Sequence, residues 1–258
     1  MNYETIRCAV REDICIITLN RPQVMNALNA QMRAELLHAI RTDATRARVM
    51  VLTGSGRAFC SGQDLGDGGN AANIDLERTL RDEYEPLLRA ITDCPIPTIA
   101  AVNGAAAGAG ASLALAADVV IGAESASFTQ AFTRIGLIPD AGGSYWLPRM
   151  IGAPRAMGAM LFAEKITAAR AADWGMIWEA VADDGFADHW WGRAKHLAQG
   201  PTAAYAGVKQ VLRESWQNPL DRQLDLEAQV QGRCGKTRDF KEGVVAFLEK
   251  RPAKFEGR

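Results

Sequence analysis

The stretch Thr98-Ile-Ala-Ala-Val-Asn-Gly-Ala-Ala-Ala-Gly-Ala-Gly-Ala-Ser-Leu-Ala-Leu115 decides the fold. Its first five residues form a short apolar run of the kind that is buried as a strand. Small residues with three glycines follow directly, and the apolar residues after Gly110 are suited to a helix. The stretch therefore predicts a strand, a tight turn and a helix, which together form the repeating unit of an α/β fold.

The residues on both sides of this stretch repeat the alternation. Apolar residues recur at helical spacing from Met32 to Ile40 and from Leu76 to Ile91, where Pro86 interrupts the pattern without ending it. A loop rich in glycine and asparagine is predicted at residues 66–73. The further predicted strands are residues 3–10, 14–19, 49–52 and 119–121. We therefore predict an α/β fold of repeated strand and helix units.

The pattern after residue 167 is mostly helical. Thr167 and Thr202 stand where helix N-caps are expected, and Pro201 and Pro219 stand where helices break. Such helices either pack on the α/β core or cover a neighbouring subunit. The aromatic residues expected to be exposed for the second role are Trp190 and Trp191.

Composition and charge narrow the class of protein. A length of 258 residues fits one main domain, and 48% apolar residues suffice for a large core. The formal net charge of −1 argues against a nucleic-acid partner, since such proteins usually carry a basic excess. No apolar run reaches membrane-spanning length, and the first residues resemble neither a secretory signal nor a transit peptide. We therefore predict a cytoplasmic protein with no membrane partner.

The cysteines do not form a metal or disulfide pattern. They are odd in number and scattered, so free structural thiols are expected and no metal site is predicted. Cys60 lies in a glycine-containing loop, but a catalytic thiol needs a histidine base, and the three histidines are far away in sequence. The residues concerned are Cys8, Cys15, Cys60, Cys94 and Cys234, and His38, His189 and His196.

Three glycine-containing loops each follow a predicted strand, where α/β proteins tend to bind ligands. They are Phe59-Cys-Ser-Gly-Gln-Asp-Leu65, Asn103 through Gly110, and Gly136-Leu-Ile-Pro-Asp-Ala-Gly-Gly143. The second loop fails the dinucleotide pattern G-x-G-x-x-G because Leu113 occupies the third glycine position. Its small residues serve either close helix packing or the approach of a carbonyl oxygen to free N–H groups at a helix start.

Two aspartates in these loops allow both structural and chemical roles. Asp140 precedes Ala-Gly-Gly-Ser and could cap a helix or a turn. Its apolar sequence neighbours would instead raise the pKa of the carboxyl group toward that of a proton shuttle. For Asp64 we favour the structural role, as the cap of the turn after Gly62.

Motifs along nearly the whole chain resemble the crotonase (enoyl-CoA hydratase/isomerase) superfamily in order and spacing. Besides the three loops, the matching segments are Asn20-Arg-Pro22 and Asn26-Ala-Leu28. The resemblance implies a spiral core of ββα units in residues 1–195, a helical region in residues 196–258, and a homotrimer or homohexamer built as a dimer of trimers. It also implies an acyl-CoA substrate, with coenzyme A as part of that substrate and no separate cofactor.

The resemblance further implies an oxyanion hole formed by the backbone N–H groups of Gln63 and Ala109. Two such donors can stabilise the enolate of a thioester by several kcal/mol. The two glutamates of superfamily hydratases fall on Ser112 and Phe132, so Asp140 is the only carboxylate in the matched catalytic positions. One carboxylate is enough for isomerisation, because it can remove a proton at one carbon and return it at another.

Several segments resemble the branch of the superfamily that converts a ring epoxide, 1,2-epoxyphenylacetyl-CoA, to its oxepin isomer in phenylacetate degradation. They are residues 136–143, 174–178, 223–227 and 242–248. The predicted function is therefore an acyl-CoA isomerase that acts on the ring epoxide and also moves double bonds from the 3,4 to the 2,3 position. The candidate substrate and CoA contacts are Val24, Ala27, Ser61, Gln63, Asp64, Leu65, Gly108, Leu137 and Pro139, with Arg21, Lys250 and Lys254 for the phosphates.

Three alternatives remain open. A hydratase is disfavoured by Ser112 and Phe132, which cannot hold an attacking water as glutamates do. An aryl-CoA dehalogenase in this superfamily also uses a histidine, and the chain has none between His38 and His189. A non-catalytic member that binds RNA or a protein partner is disfavoured by the near-neutral charge.

Overall fold

The computed structural model describes residues 2–66 and 74–258, so most of the loop predicted at residues 66–73 lies outside the described residues. The described strands form two sheets. The six-stranded sheet has the order β1 (Ile6–Arg11), β2 (Ile14–Leu19), β3 (Val49–Gly54), β5 (Thr98–Val102), β7 (Val119–Ala123) and β10 (Glu179–Val181). The four-stranded sheet has the order β4 (Ala58–Cys60), β6 (Ala105–Ala107), β8 (Ser127–Thr129) and β9 (Ile166–Thr167).

Successive strands alternate between the two sheets. The pairs β3 and β4, β5 and β6, and β7 and β8 each place the first strand in the large sheet and the second in the small one. Glycines occupy two of the corners between them, because a Cβ on Gly54 would lie 2.6 Å from the Phe59 carbonyl oxygen and one on Gly104 would collide with Arg57. All strand pairs are parallel except β1 with β2 and β8 with β9. The predicted α/β fold with repeated ββα units is confirmed.

Helices follow the strand pairs and then form the C-terminal part. The principal helices are α1 (Ala30–Thr42), α2 (Leu76–Thr79), α3 (Glu85–Thr92), α4 (Ala109–Leu115), α5 (Gly143–Ile151), α6 (Ala153–Phe162), α7 (Ala168–Asp173), α8 (Phe186–Ala198), α9 (Thr202–Ser215), α10 (Leu220–Cys234) and α11 (Arg238–Glu249). None of them is both long and apolar enough to cross a membrane, as judged over the described residues.

The helix predicted through Pro86 is continuous, as expected. A π-helical turn, Leu80–Tyr84, joins α2 to α3, and the N–H of Glu85 bonds to the carbonyl of Leu80 five residues earlier. Pro86 lies at the start of α3, where the missing proline N–H removes no bond that the new helix needs. The π turn thus lets the helical run pass the proline.

Two predictions in the first half need correction. The first strand begins at Ile6 and not at residue 3, because the carboxylate of Glu35 accepts the N–H groups of Glu4 and Thr5 and takes them out of strand pairing. The strands of the small sheet were not predicted, and β6 within the glycine-rich turn is the clearest case, since three alanines carry no strand preference. Its pairing with β4 and β8 determines its conformation.

Two predictions in the C-terminal part were also wrong. Thr167 caps α7 by accepting the N–H of Arg170, but Thr202 lies inside α9 and uses its hydroxyl to accept from Arg48 instead. Pro201 and Pro219 occupy the N-cap positions of α9 and α10, so the predicted breaks are confirmed. The pair predicted to be exposed, Trp190 and Trp191, is half-buried against the core, whereas the exposed tryptophans are Trp178 and Trp216.

The C-terminal region is attached to the core by buried and half-buried polar contacts. The ammonium of Lys209 donates to the carbonyl of Ile96 and pairs with Asp118 at the start of β7. Arg48 reaches the carbonyls of Gly200 and Phe255. Helix α8 runs through the domain boundary placed at residues 195 and 196, and that boundary stays a sequence prediction.

Candidate active site

The first two glycine loops lie directly against each other. Residues Leu28 and Gln63 form an isolated parallel bridge, which holds the first loop beside the 3₁₀ segment near Val24. A Cβ on Gly62 would lie 2.8 Å from the carbonyl oxygen of Ala107 and 3.4 Å from the nitrogen of Ala109. The close approach of the two loops therefore requires glycine at residue 62.

The two N–H groups named as oxyanion donors are free of backbone partners. Neither Gln63 nor Ala109 donates its N–H to a backbone carbonyl within the described part of the chain. Ala109 is the first residue of α4. Gly108 before it has a φ of 51°, a backbone angle that glycine adopts readily and other residues rarely do. First-turn N–H groups of a helix lack intrahelical partners and carry partial positive charge. The site thus presents two N–H groups that can donate hydrogen bonds to one anionic oxygen.

Asp140 lies in the third loop with a carboxyl group that the fold does not use. Its carbonyl accepts the N–H of Gly143, but the N-cap of α5 is Gly142, and no side chain caps that helix. The Oδ1 atom is buried and has no hydrogen-bond partner among the described residues. Burial raises the pKa of Asp140 to about 6. The carboxyl group is therefore a poor structural cap and is suited to exchanging a proton near neutral pH.

Asp64 has the structural role that the sequence favoured. Its carboxylate accepts the N–H of Gly66 and pairs with Arg21 over 2.8 Å. Partial burial acts to raise the pKa of Asp64, but the hydrogen bonds from Arg21 and Gly66 outweigh it and hold the pKa below its ordinary value. Arg21 also donates to the carbonyl of Ala27, so its guanidinium is already engaged.

The remaining candidate contacts differ in accessibility. Val24 and Leu65 are exposed at the rim of the first loop, and the hydroxyl of Ser61 donates to the Val24 carbonyl. Ala27 and Pro139 are buried, and Gly108 and Leu137 are half-buried. Lys250 and Lys254 are exposed on the segment that ends α11 and follows it.

The positions of the hydratase glutamates are filled by buried side chains that are not acids. Ser112 is fully buried in α4, three residues after Ala109. Phe132 is also buried, and its ring lies 3.8 Å from where a Cβ on Gly108 would stand. Neither side chain can ionise to activate a water molecule.

Polar atoms without hydrogen-bond partners gather around the third loop. Within the described residues, all buried side-chain atoms of this kind belong to Ser112, Gln130, Asp140 and Trp146. Buried polar groups are normally paired, so such a cluster marks a place where bonds are completed by something other than the folded chain. The sequence offered no signal for Gln130, which precedes a 3₁₀ turn.

No metal or thiol chemistry is indicated by the arrangement of the described residues. They include no group of three or more His, Cys, Asp or Glu that could hold a metal ion. Full burial raises the pKa of Cys60 to about 12, which disfavours the thiolate needed for a nucleophile. Its sulfur lies 2.7 Å from where a Cβ on Gly110 would stand, so Cys60 packs against the start of α4.

The spiral of alternating strands and the convergence of the three loops define a crotonase-type α/β protein. Residues 9–258 match the family described as enoyl-CoA hydratase/isomerase. The chain belongs to this family, the crotonase family of acyl-CoA hydratases and isomerases.

Relatives and solved structures agree with the family but differ in the reaction named. The chain is 63% identical over its full length to all of a Rhodobacter capsulatus protein described as "Probable enoyl-CoA hydratase". It is 44% identical to the 1,2-epoxyphenylacetyl-CoA isomerase of Escherichia coli, with 99% of each chain covered. The crystal structure of an enoyl-CoA hydratase from Bacillus anthracis matches with a TM-score of 0.90 at 32% identity, covering 99% of this chain and all of that one.

Proposed function

We propose that this protein is an acyl-CoA isomerase in which Asp140 is the single acid/base and the N–H groups of Gln63 and Ala109 form the oxyanion hole. The observation that carries the proposal is the half-buried carboxyl group of Asp140, whose enclosed Oδ1 atom has no hydrogen-bond partner among the described residues, in a site whose hydratase positions hold Ser112 and Phe132. The proposed substrate is 2-(1,2-epoxy-1,2-dihydrophenyl)acetyl-CoA, which is isomerised to oxepin-CoA. The same groups would convert a 3-enoyl-CoA to a 2-enoyl-CoA.

The enoyl reaction balances with one carboxyl group. Asp140 takes a proton from C2 of the 3-enoyl thioester, and the electron pair moves through the conjugated system to the thioester oxygen. The two N–H donors stabilise that oxyanion, and such donors are worth several kcal/mol in a site that excludes water. The protonated carboxyl group then returns the proton at C4, which leaves the double bond between C2 and C3. In the epoxide reaction the same carboxyl group stabilises the opening ring.

The similarity to the Escherichia coli isomerase supports the ring epoxide as substrate, and it extends over nearly the whole of both chains. The second candidate function is hydration, which the name of the Rhodobacter capsulatus relative favours. Hydration needs a group that activates water, and Asp140 is the one carboxylate in the matched positions that could do so. The two candidates therefore differ in how one carboxyl group is used.

We further propose that coenzyme A binds as part of the substrate along the first loop, with no separate cofactor. Backbone groups there and in the turn at Gly108 would grip the pantetheine and adenine. We also propose a homotrimer or homohexamer, which exposed apolar side chains on the C-terminal helices support. We place the protein in the cytoplasm, with no nucleic-acid partner.

The decisive experiment compares three substrates on one preparation. Purified protein is given the ring-epoxide thioester, a 3-enoyl-CoA and crotonyl-CoA, and the products are identified by mass spectrometry and chromatography. We expect both isomerisations and little hydration. Faster hydration of crotonyl-CoA than either isomerisation would establish the hydratase instead.

The assignment of Asp140 is tested with Asp140→Asn and a matched control, Asp173→Asn, at an exposed carboxylate that ends α7. We expect Asp140→Asn to bind acyl-CoA normally and to lose isomerisation by about 10³-fold, because it lacks the proton-transfer group. The control should keep the wild-type rate. An Asp140→Asn protein that isomerises at the wild-type rate would refute the assignment, and absence of any acyl-CoA binding in the wild type would favour a non-catalytic member of the family.

A further inference from the structure

The side chain of Gln63 is fixed although its proposed role uses only the backbone. Its Oε1 atom accepts a hydrogen bond from the hydroxyl of Tyr84 over 2.5 Å and another from Nη1 of Arg33 over 2.9 Å. A backbone N–H donor does not itself require any particular side chain. Two donors on one amide oxygen therefore fix the orientation of the Gln63 side chain.

Arg33 connects Gln63 to the neighbouring main chain. The guanidinium is 4% exposed, and the same Nη1 atom donates to the carbonyl of Leu28 over 2.7 Å. Leu28 in turn accepts the N–H of Asp64 and donates to the carbonyl of Gly62, the residues on either side of Gln63. The guanidinium thus holds both the side chain of Gln63 and the strand-like segment that brackets its N–H.

The charge of Arg33 is balanced on its other edge. Its Nε and Nη2 atoms both donate to one oxygen of Glu83, over 2.9 and 2.6 Å. A buried guanidinium is held in one place when its donors are satisfied in this way, since each lost bond would leave an unpaired group. Rigid neighbours of this kind keep a reacting group in its productive geometry.

The π turn brings both partners to the site. Glu83 and Tyr84 are its last two residues, so one irregular turn supplies the counter-ion of Arg33 and the hydroxyl donor to Gln63. Such turns often occur at functional sites. Burial raises the pKa of Tyr84 well above its ordinary value, and the charge of Asp140 acts in the same direction. Tyr84 therefore remains a neutral donor that lies within electrostatic reach of the proposed acid/base.

We propose that Arg33 and Tyr84 are positioning residues that act through the side chain of Gln63 to aim its N–H at the thioester oxygen. The inference rests on the proposed function, because it assumes that Gln63 supplies an oxyanion donor. In this proposal the π turn and α1 position the oxyanion donor, although neither supplies a group that touches the reacting atoms.

The test uses variants that leave the Gln63 N–H in place. Tyr84→Phe removes one hydroxyl, Gln63→Leu removes the acceptor, and the double variant removes both. The matched control is Tyr205→Phe in α9, outside the three loops. Each variant is assayed for isomerisation, for equilibrium binding of a saturated acyl-CoA, and for exchange of the C2 protons of that thioester in deuterated water by NMR. Exchange reports enolate formation without requiring that a double bond move.

We expect kcat and the exchange rate to fall roughly 10- to 50-fold in Tyr84→Phe and in Gln63→Leu, since a small misplacement of a reacting group costs up to about 10²-fold. Acyl-CoA affinity should stay within about threefold, because ground-state binding does not depend on a transition-state contact. The double variant should be no slower than the slower single variant. Additive losses, losses confined to KM, or wild-type exchange in Tyr84→Phe would overturn the inference.

Failure of this inference can be told apart from failure of the proposed function. If the wild type isomerises and exchanges C2 protons, Asp140→Asn does neither, and Tyr84→Phe matches the wild type, only the positioning role is lost. If Asp140→Asn matches the wild type, the proposed function itself is wrong. Thermal unfolding of each variant identifies a protein whose loss of rate comes from loss of the fold.

Discussion

Gly143 packs so closely against Ser112 that no residue larger than glycine fits at position 143 without displacing a neighbour. A Cβ on Gly143 would lie 2.8 Å from Oγ of Ser112, and it would also lie 3.1 Å from Oε1 of Gln130. The N–H of Gly143 meanwhile bonds to the carbonyl of Asp140. The glycine therefore joins the loop of the proposed acid/base to the buried polar side chains of α4 and of the segment after β8.

This contact predicts the effect of Gly143→Ala. The added methyl group must displace Ser112 or Gln130, both fully enclosed, so we expect the free energy of unfolding to fall by about 1–3 kcal/mol. Urea unfolding followed by circular dichroism measures the change. The matched control is Gly192→Ala in α8, where nothing lies within 4 Å of the new Cβ, and here we expect a gain of about 0.5–1 kcal/mol.

A second substitution separates steric overlap from other causes. Ser112→Ala removes the oxygen nearest the new methyl group, so Gly143→Ala combined with Ser112→Ala should recover part of the stability lost by Gly143→Ala alone. A Gly143→Ala protein as stable as the wild type would show that the loop shifts freely. That result would also contradict the close packing of α5 against α4.

The pKa of Asp140 predicts the pH dependence of the proposed isomerisation. The carboxyl group must be ionised to remove a proton, and burial raises its pKa to about 6. We therefore expect kcat/KM to be constant above pH 7 and to fall tenfold per pH unit well below pH 6. A pH–rate profile of the free enzyme between pH 4.5 and 8.5 measures the limb, with unfolding monitored over the same range. An acid limb centred near pH 4 would mean that the base is a solvated carboxylate.

Most strands of the large sheet were predictable because their signals are local, whereas the strands of the small sheet were not predicted. Strands β2 and β5 have the predicted bounds, since each is a continuous apolar run that is buried in the large sheet. Strand β6 was missed because its three alanines take their conformation from partners 46–47 residues earlier and 22 residues later. The cap at Thr167 and the failed cap at Thr202 show the same limit, since a tertiary contact with Arg48 redirects the second hydroxyl.

The residues of the candidate site also fall into those that the sequence indicates and those that only the structure shows. The carboxyl group of Asp140 could be singled out from its loop, because an acid among apolar residues and glycines is recognisable in sequence. The contacts of Gln63 with Arg33 and Tyr84 could not be found, since they join residues thirty and twenty-one positions away and depend on a π turn that sequence patterns do not indicate. The unpartnered amide of Gln130 was hidden for the same reason, because it lies against Gly143 of the third loop, thirteen residues later in the chain.

Exposed apolar residues on α11 predict assembly. Phe247 and Leu248 are 84% and 73% exposed, which is unusual for neighbouring large apolar side chains unless another surface covers them. We expect Phe247→Asp with Leu248→Asp to shift the protein to a smaller species in sedimentation velocity. Lys241→Asp on the same helix is the control and should leave the distribution unchanged. A wild type that sediments as a monomer at all concentrations would contradict the prediction.

The buried contacts of Lys209 predict that this side chain contributes to the free energy of unfolding by attaching α9 to the core. Its ammonium is buried, pairs with Asp118 over 2.5 Å and donates to the carbonyl of Ile96 over 2.8 Å, so it links α9 to the start of β5 and β7. Burial lowers the pKa of Lys209, and the charge of Asp118 opposes that shift. Lys209→Met keeps the length of the side chain but leaves Asp118 without its nearest cation. Removing one partner of a buried pair costs about 3–5 kcal/mol.

Asp118 reduces that cost, because it keeps two hydrogen bonds from Thr98 and an ion pair with Arg213. We therefore expect Lys209→Met to lose about 2–4 kcal/mol in chemical denaturation, at the lower side of the usual range. The control is Lys195→Met, whose pair with Glu12 is exposed on both sides and should be worth less than about 1 kcal/mol. A loss no larger than that of the control would mean that α9 is held by its apolar contacts, with the ion pair adding nothing to the attachment.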